Sequence, residues 1–261
     1  MQLIETIDMQ DQLDSAKLIL VNGPPMSGKT TSILTAPEPR VTIIAPGELG
    51  FTSVMATPTN QVKRWKEEPG VPTDWLKVLL SVEEVLKNCA RGKYGDLKEG
   101  TVALDGIHKL YRLIQRALGY ENMDEVPEKE RGGAWGRCHD RFNAVLDLLV
   151  AQPAKYRIAT VYDGLEVVDP LAAKKESRIW PDLPGKQAKH IMGRFPLALH
   201  SFVFGEPPNR KYMWHLAPNT SISGAGLHLP RAIVAKLPAT MEQDFGKLEA
   251  AIKASLTSET K

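Results

Sequence analysis

Cysteine is scarce in this chain of 261 residues: only Cys89 and Cys138 are present. Two distant cysteines exclude a disulfide framework and a thiolate zinc site, and they fit free thiols in a reducing compartment. A charge excess of either sign is lacking too. Lys and Arg number 33 against 31 Asp and Glu, a net charge of +2, so any affinity for a polyanion has to come from local patches. No run of about 18 apolar residues occurs, which leaves no membrane span to expect. The N-terminal stretch carries Glu5, Asp8 and Asp11 with no apolar centre, so no signal peptide is expected either. His108, His139, His190, His200, His215 and His228 lack metal-ligand spacing such as H-x-x-x-H. No Gly-x-Ser-x-Gly elbow or Cys/His pair points to nucleophilic catalysis. Internal repeats and low-complexity segments are absent as well.

What remains is an ordinary globular composition, 43% hydrophobic and 25% charged, enough for one α/β core. Short apolar runs at 17–21, 41–45, 101–104 and 157–162 predict buried strands. Helical spacing is read at 30–35, 62–65, 75–88 and 107–118, and around Phe142, Val145, Leu146 and Leu149. The polar, glycine-bearing stretches 119–136 and 169–193 predict loops. Segments 198–204 and 211–216 flank a turn at 206–209 as a hairpin would, and 242–255 predicts a surface helix. Strands alternating with helices indicate a mostly parallel sheet covered on both faces. The expected organisation is one domain over 1–255 with a frayed tail at 256–261.

Gly23, Pro24, Pro25, Met26, Ser27, Gly28, Lys29 and Thr30 fit G-x-x-x-x-G-K-[ST], with Thr31 following. A chain this long contains such a match by chance about once in a hundred. Context therefore decides, and the required strand before and helix after are both predicted. Glycines let the backbone curl so that successive N–H groups face phosphate oxygens. The following helix adds its N-terminal dipole. Lys29 reaches the β- and γ-phosphates of a nucleoside triphosphate, and the Thr30 hydroxyl can ligate Mg²⁺.

Asp105 ends the run Thr101-Val102-Ala103-Leu104 and is the candidate for the magnesium shell; a helix-capping role reads the same and can coexist. Gly106, not a glutamate, follows it. The candidate for the acid that orients the attacking water is then Glu48, just past the second strand in Pro46-Gly47-Glu48, where a solvated loop acid is the alternative.

Together these elements resemble the RecA-like ATPase core, and more narrowly the compact phage nucleotide-binding and single-strand annealing proteins. The narrower similarity is carried by Trp180-Pro181-Asp182-Leu183-Pro184-Gly185-Lys186, Leu237-Pro238 and Asp244-Phe245. The resemblance implies an α/β fold with a RecA-like P-loop core, a mostly parallel central sheet flanked by helices and a C-terminal β-hairpin. It also implies ATP hydrolysis at a subunit interface, assembly as a homo-oligomeric ring or filament, and single-stranded DNA as partner. The place of action would be the cytoplasm, that of the host if the chain is phage-encoded. The resemblance makes Glu48 the water-activating acid. It puts a γ-phosphate sensor at Tyr162 or Asp163 and takes a finger for the neighbouring site from Arg194, Arg210 or Lys211.

Two stretches interleave cations with an aromatic, as single strands require. One holds Lys174, Lys175, Arg178, Trp180, Lys186 and Lys189; the other holds Arg131, Trp135 and Arg137. The alternative for each is a solvated loop with its tryptophan tucked into the core. Two other functions share the P-loop. One is a nucleotide kinase, with 128–141 as a lid. The other is a nucleotide-dependent assembly, DNA-packaging or loading factor.

Overall fold

The computed structural model describes residues 17–48, 54, 56–66, 71–167, 177–217, 222, 224–229 and 231–257. Lys174, Lys175 and the end of the tail from 258 lie outside them.

The chain alternates strands and helices through most of its length. It runs β1 (Lys17–Gly23), α1 (Lys29–Ser32), β2 (Arg40–Ile44), β3 (Asn60–Arg64), α2 (Trp75–Ala90), β4 (Thr101–Asp105) and α3 (Ile107–Ala117). There follow α4 (Glu128–Val150), β5 (Tyr156–Val167), β6 (Ser177–Pro181), α5 (Gln187–Arg194), β7 (Leu197–Phe204) and β8 (Lys211–His215). The chain closes with β9 (Gly226–Leu227), α6 (Arg231–Val234), β10 (Thr240–Glu242) and α7 (Phe245–Thr257). The main sheet has the order β10-β8-β7-β1-β5-β4-β2-β3. Strands β7 through β3 are mutually parallel, while β8 and β10 are antiparallel additions. The α/β class with a mostly parallel, helix-flanked sheet and a closing hairpin is therefore the fold observed.

Strand alternation divides the core into two layers. Leu18, Leu20, Val102, Leu104, Ala159 and Val161 face α2, α3 and α4 through Leu79, Leu110, Ile114 and Phe142. Ile19, Val21, Ala103 and Ile158 face the other way, onto Trp214, Phe245, Leu248 and Ile252. Among the described residues, no helix is long and apolar enough to cross a membrane.

Three local expectations are corrected, and the short helix expected over 30–35 is observed. Residues 62–65, read as helical, belong mostly to the edge strand β3, whose Lys63 and Arg64 keep that edge polar. From Glu128 onward the loop expected over 119–136 gives way to α4, which is 23 residues long. Its buried stripe begins with Ala134 and Cys138 before reaching Phe142, so small side chains conceal the period. The loop expected over 169–193 contains β6 and α5, and β5 runs on past Tyr162 to pair with β6 from Asp163 to Val167. The helix after the phosphate loop has only 4 residues before a 3₁₀ turn, Ile33–Thr35, because Pro37 and Pro39 follow. A macrodipole from so short a helix is small, so the dipole expected to favour a phosphate there is weak.

Candidate functional site

Parallel strands bring their carboxyl ends to one edge, and the chemistry gathers there. In this sheet β5 lies between the phosphate-loop strand β1 and the Asp105 strand β4. The end of β5 therefore sits between the two.

The phosphate loop is held by close packing. Gly23 has φ +152°, and a Cβ there would meet the Ser201 carbonyl at 2.5 Å. Gly28 has φ +87°, and a Cβ would strike Gln243 Oε1 at 2.6 Å and the Tyr212 ring at 2.8 Å. Both positions need glycine for conformation and for space. Met26 also has a positive φ, 62°, and lies exposed. The Gln243 amide donates to Ser27 O at 2.8 Å and to Met213 O at 3.0 Å, tying the loop to β8 and to the segment just after β10. Asn22, buried at the end of β1, donates to the Gly224 carbonyl.

Lys29 is buried and curled onto its own loop, donating to Gly23 O at 2.8 Å and Pro24 O at 2.6 Å. Its ammonium lies 4.5 Å from the Tyr162 ring centroid. Burial lowers its pKa to about 8, against the pull of Asp163, Asp105 and Glu48.

Asp105 is 1% exposed. Its carboxylate accepts from the Thr30 hydroxyl, 2.9 Å to Oδ2, and from the Thr160 hydroxyl. Thr160 in turn accepts from Gly106 N–H at 2.9 Å. Burial pushes the Asp105 pKa up to about 6; the hydrogen bonds from Thr160 and Thr30 oppose this, Glu48 adds to it and Lys29 opposes it. The N-cap of α3 is Gly106 and carries no side-chain cap, so Asp105 does not cap that helix. Its carboxylate instead meets the hydroxyl that ends the phosphate loop.

Glu48 is 8% exposed, which rules out a solvated loop acid. Its Oε1 accepts from the Tyr162 phenol at 2.9 Å, and its Oε2 lies 3.7 Å from His108 Nε2. His108 stacks on Tyr162 with centroids 4.1 Å apart. Burial, then Lys109 and Arg112, lower the His108 pKa to about 3, so the contact with Glu48 is not an ion pair at neutral pH. Gly106 shows why no glutamate follows Asp105. At φ +87° it is left-handed, and a Cβ there would come within 3.1 Å of Glu48 Oε2. Glu48 occupies the space that a side chain at 106 would need.

Sequence reasoning missed Thr160, His108, Gln243 and the pair His200 Nε2–Asp163 Oδ2, 3.0 Å apart. Thr160 had a usable signal, since it lies in the predicted 157–162 strand. The others are joined by tertiary packing alone.

A cleft of about 340 Å³ opens beside the loop, lined by Gly28, Thr31, Thr35, Tyr212, Gln243 and Lys247 among others. Arg210 and Lys211 also line it, on the same side of the loop in the same subunit. Arg194 is engaged at home, donating to the Asp147 carboxylate and to Asn143 O at 3.3 Å.

The two basic-aromatic stretches fare differently. Residues 128–141 are helix rather than loop. Arg131 donates to Asp124 O at 3.0 Å, Arg137 to the Tyr120 phenol at 2.9 Å, and half-buried Trp135 packs near Tyr111 and His139. In the second stretch Arg178 and half-buried Trp180 sit on β6. Lys189 Nζ is 5.7 Å from the Trp180 ring, and Lys186 is exposed at the start of α5.

No known protein family matches the chain. No curated protein matches it either. Among solved structures it is similar to the flagellar accessory protein FlaH from Methanocaldococcus jannaschii, at 13% identity and a TM-score of 0.35, covering 81% of this chain and 84% of that one. A likeness of that extent adds nothing to the geometry of the site.

Proposed function

We propose that this chain is a RecA-like ATPase that binds Mg²⁺–ATP at the phosphate loop and hydrolyses it with Glu48 as the acid that orients water. The observation that carries the reading is the seat of Glu48. It is buried over Gly106 and held by Tyr162, at the same sheet edge as Lys29 and the Thr30–Asp105 pair.

Thr30 and Asp105 suit magnesium. They offer a hydroxyl and a carboxylate oxygen within 2.9 Å of each other, hard donors beside a phosphate cradle. Among the described residues no cluster of three or more His, Cys, Asp or Glu forms a cage. Thr30 and Asp105 would hold the ion where it would neutralise charge on the phosphates. The chain's own groups do the rest. Lys29 leaves the Gly23 and Pro24 carbonyls for the phosphates. Glu48 fixes the water for in-line attack and accepts its proton. The Tyr162 phenol, next to both Glu48 and Lys29, serves as the γ-phosphate sensor. The 340 Å³ cleft takes ribose and base, with Tyr212 as its aromatic wall.

The partner in this reading is single-stranded DNA, and the working form is a homo-oligomer whose neighbour completes the site. The β6–α5 segment with Arg178, Trp180, Lys186 and Lys189 supports a nucleic-acid surface. The segment 128–141, the lid of the kinase reading, belongs to the long helix α4, which favours the ATPase reading over that one. Phosphate release from Mg²⁺–ATP, measured with and without oligo(dT), tests the reading. Turnover should disappear in Lys29→Ala and rise with DNA in the parent protein. Hydrolysis that persists in Lys29→Ala would sink the ATPase part, and turnover indifferent to DNA would sink the DNA part alone.

A further inference from the structure

Helix α3 buries Ile107, Leu110, Tyr111 and Ile114 against the sheet. Its outer face carries Lys109, Arg112 and Arg116, spaced i, i+3 and i+7 and so aligned in one stripe, and the helix contains no acid. Arg112 and Arg116 are exposed, and the Arg116 guanidinium lies 4.7 Å from the Trp75 ring centroid. Together with Leu113, Pro46 and Gly47 these residues line a hollow of about 230 Å³.

Several cations elsewhere on the protein meet carboxylates: Arg141 meets Glu83, Arg194 meets Asp147, and Lys155 meets Glu249. Among the described residues, Lys109, Arg112 and Arg116 form no ion pair. Like charges at helical-neighbour spacing repel one another. A stripe left uncompensated inside a concavity therefore suits an anion supplied from outside. The helical rise of about 1.5 Å per residue spreads the stripe over about 10 Å, which suits successive phosphates better than one. Trp75 supplies the flat apolar ring on which a base stacks once Arg116 turns to a phosphate.

We infer that this stripe, with Trp75, is the track for the phosphate backbone of a single strand, resting on the DNA reading above. The far wall of the hollow has a consequence for regulation. Pro46 and Gly47 are the residues just before Glu48, and Gly47 stands at φ +78° with open space around it. A strand lying on the stripe presses on the turn that aims the water-orienting acid, which makes nucleic acid an activator of hydrolysis.

Fluorescence anisotropy of labelled oligo(dT) at a series of salt concentrations tests this with Arg112→Ala/Arg116→Ala. Affinity should fall at least tenfold, and the log–log salt slope should shrink by about 1.4, since each phosphate contact on a single strand contributes about 0.7. A matched Lys93→Ala/Lys98→Ala control, two exposed cations beyond the far end of α2, should bind as the parent does. Should the double variant not fold, Arg112→Glu alone carries the test through the same two readouts. Parent-like affinity and slope in the variant, with clear binding by the parent protein, would place the strand elsewhere and leave the DNA reading standing. Absence of any salt-sensitive binding by the parent would remove the DNA reading and this site with it, leaving the phosphate loop and Glu48 untouched.

Discussion

Asp105 and Gly106 show how the site trades stability for chemistry. A carboxyl with a pKa near 6 in the fold and 3.8 outside it stabilises the protein fully only below about pH 4. That contribution is lost as pH rises through about 6, so at neutral pH the ionised group stands on the order of 2–3 kcal/mol to the bad in the metal-free protein. Asp105→Asn should therefore be more stable than the parent at pH 7.5 without metal, by about 1–2 kcal/mol in urea denaturation. The gap should close as pH falls toward 4; equal stabilities at pH 7.5 would contradict the assignment. At Gly106 the argument is steric. Alanine must adopt φ +87° and place its Cβ 3.1 Å from Glu48 Oε2. The expected result of Gly106→Ala is a loss of about 1–2 kcal/mol of stability together with a drop in turnover as Glu48 is displaced. Turnover at the parent level would show that Glu48 can move without consequence. Lys29, Thr30 and Asp105 were legible because local spacing and a strand end define them. The contacts of Tyr162, His108 and Thr160 were not, since they join β5, α3 and the segment after β2 across more than fifty residues of sequence.

Among the elements, α4 departs most from what the sequence suggested. Gly132, Gly133 and Gly136 and a polar composition read as loop, yet the segment is helix from Glu128 to Val150. Pro127 precedes it, Glu128 and Glu130 sit favourably in the first turn, and packing of Ala134, Cys138 and Phe142 outweighs weak propensity. No neighbour lies within 4 Å of a Cβ built at Gly132 or Gly136. Gly132→Ala/Gly136→Ala should therefore raise stability by about 1–2 kcal/mol, near 1 for each glycine replaced in a helix. Unchanged or lowered thermal stability would mean that the segment is not helical in solution. The strands were easier to read: β1, β2, β4 and the first half of β5 are apolar runs bounded by breakers. The extension of β5 into a hairpin with β6 is set by pairing, which periodicity does not reveal.

For the whole molecule, the sheet order brings the ends of β1, β5, β4 and β2 to one edge. Four groups meet there: a lysine with a lowered pKa, a hydroxyl–carboxylate pair, a phenol and a buried glutamate. A net charge of +2 conceals an uneven surface, with acid-free α3 flanking that edge. The central claim is that Glu48 acts in hydrolysis and not in binding. Steady-state phosphate release by Glu48→Gln at saturating Mg²⁺–ATP, with nucleotide affinity measured on the same preparation, tests it most directly. The expected result is a loss of about 10²–10⁴-fold in turnover, the usual contribution of a positioned acid–base group, with affinity within a few-fold of the parent. Turnover unchanged by the substitution, or lost only because ATP no longer binds, would contradict the account.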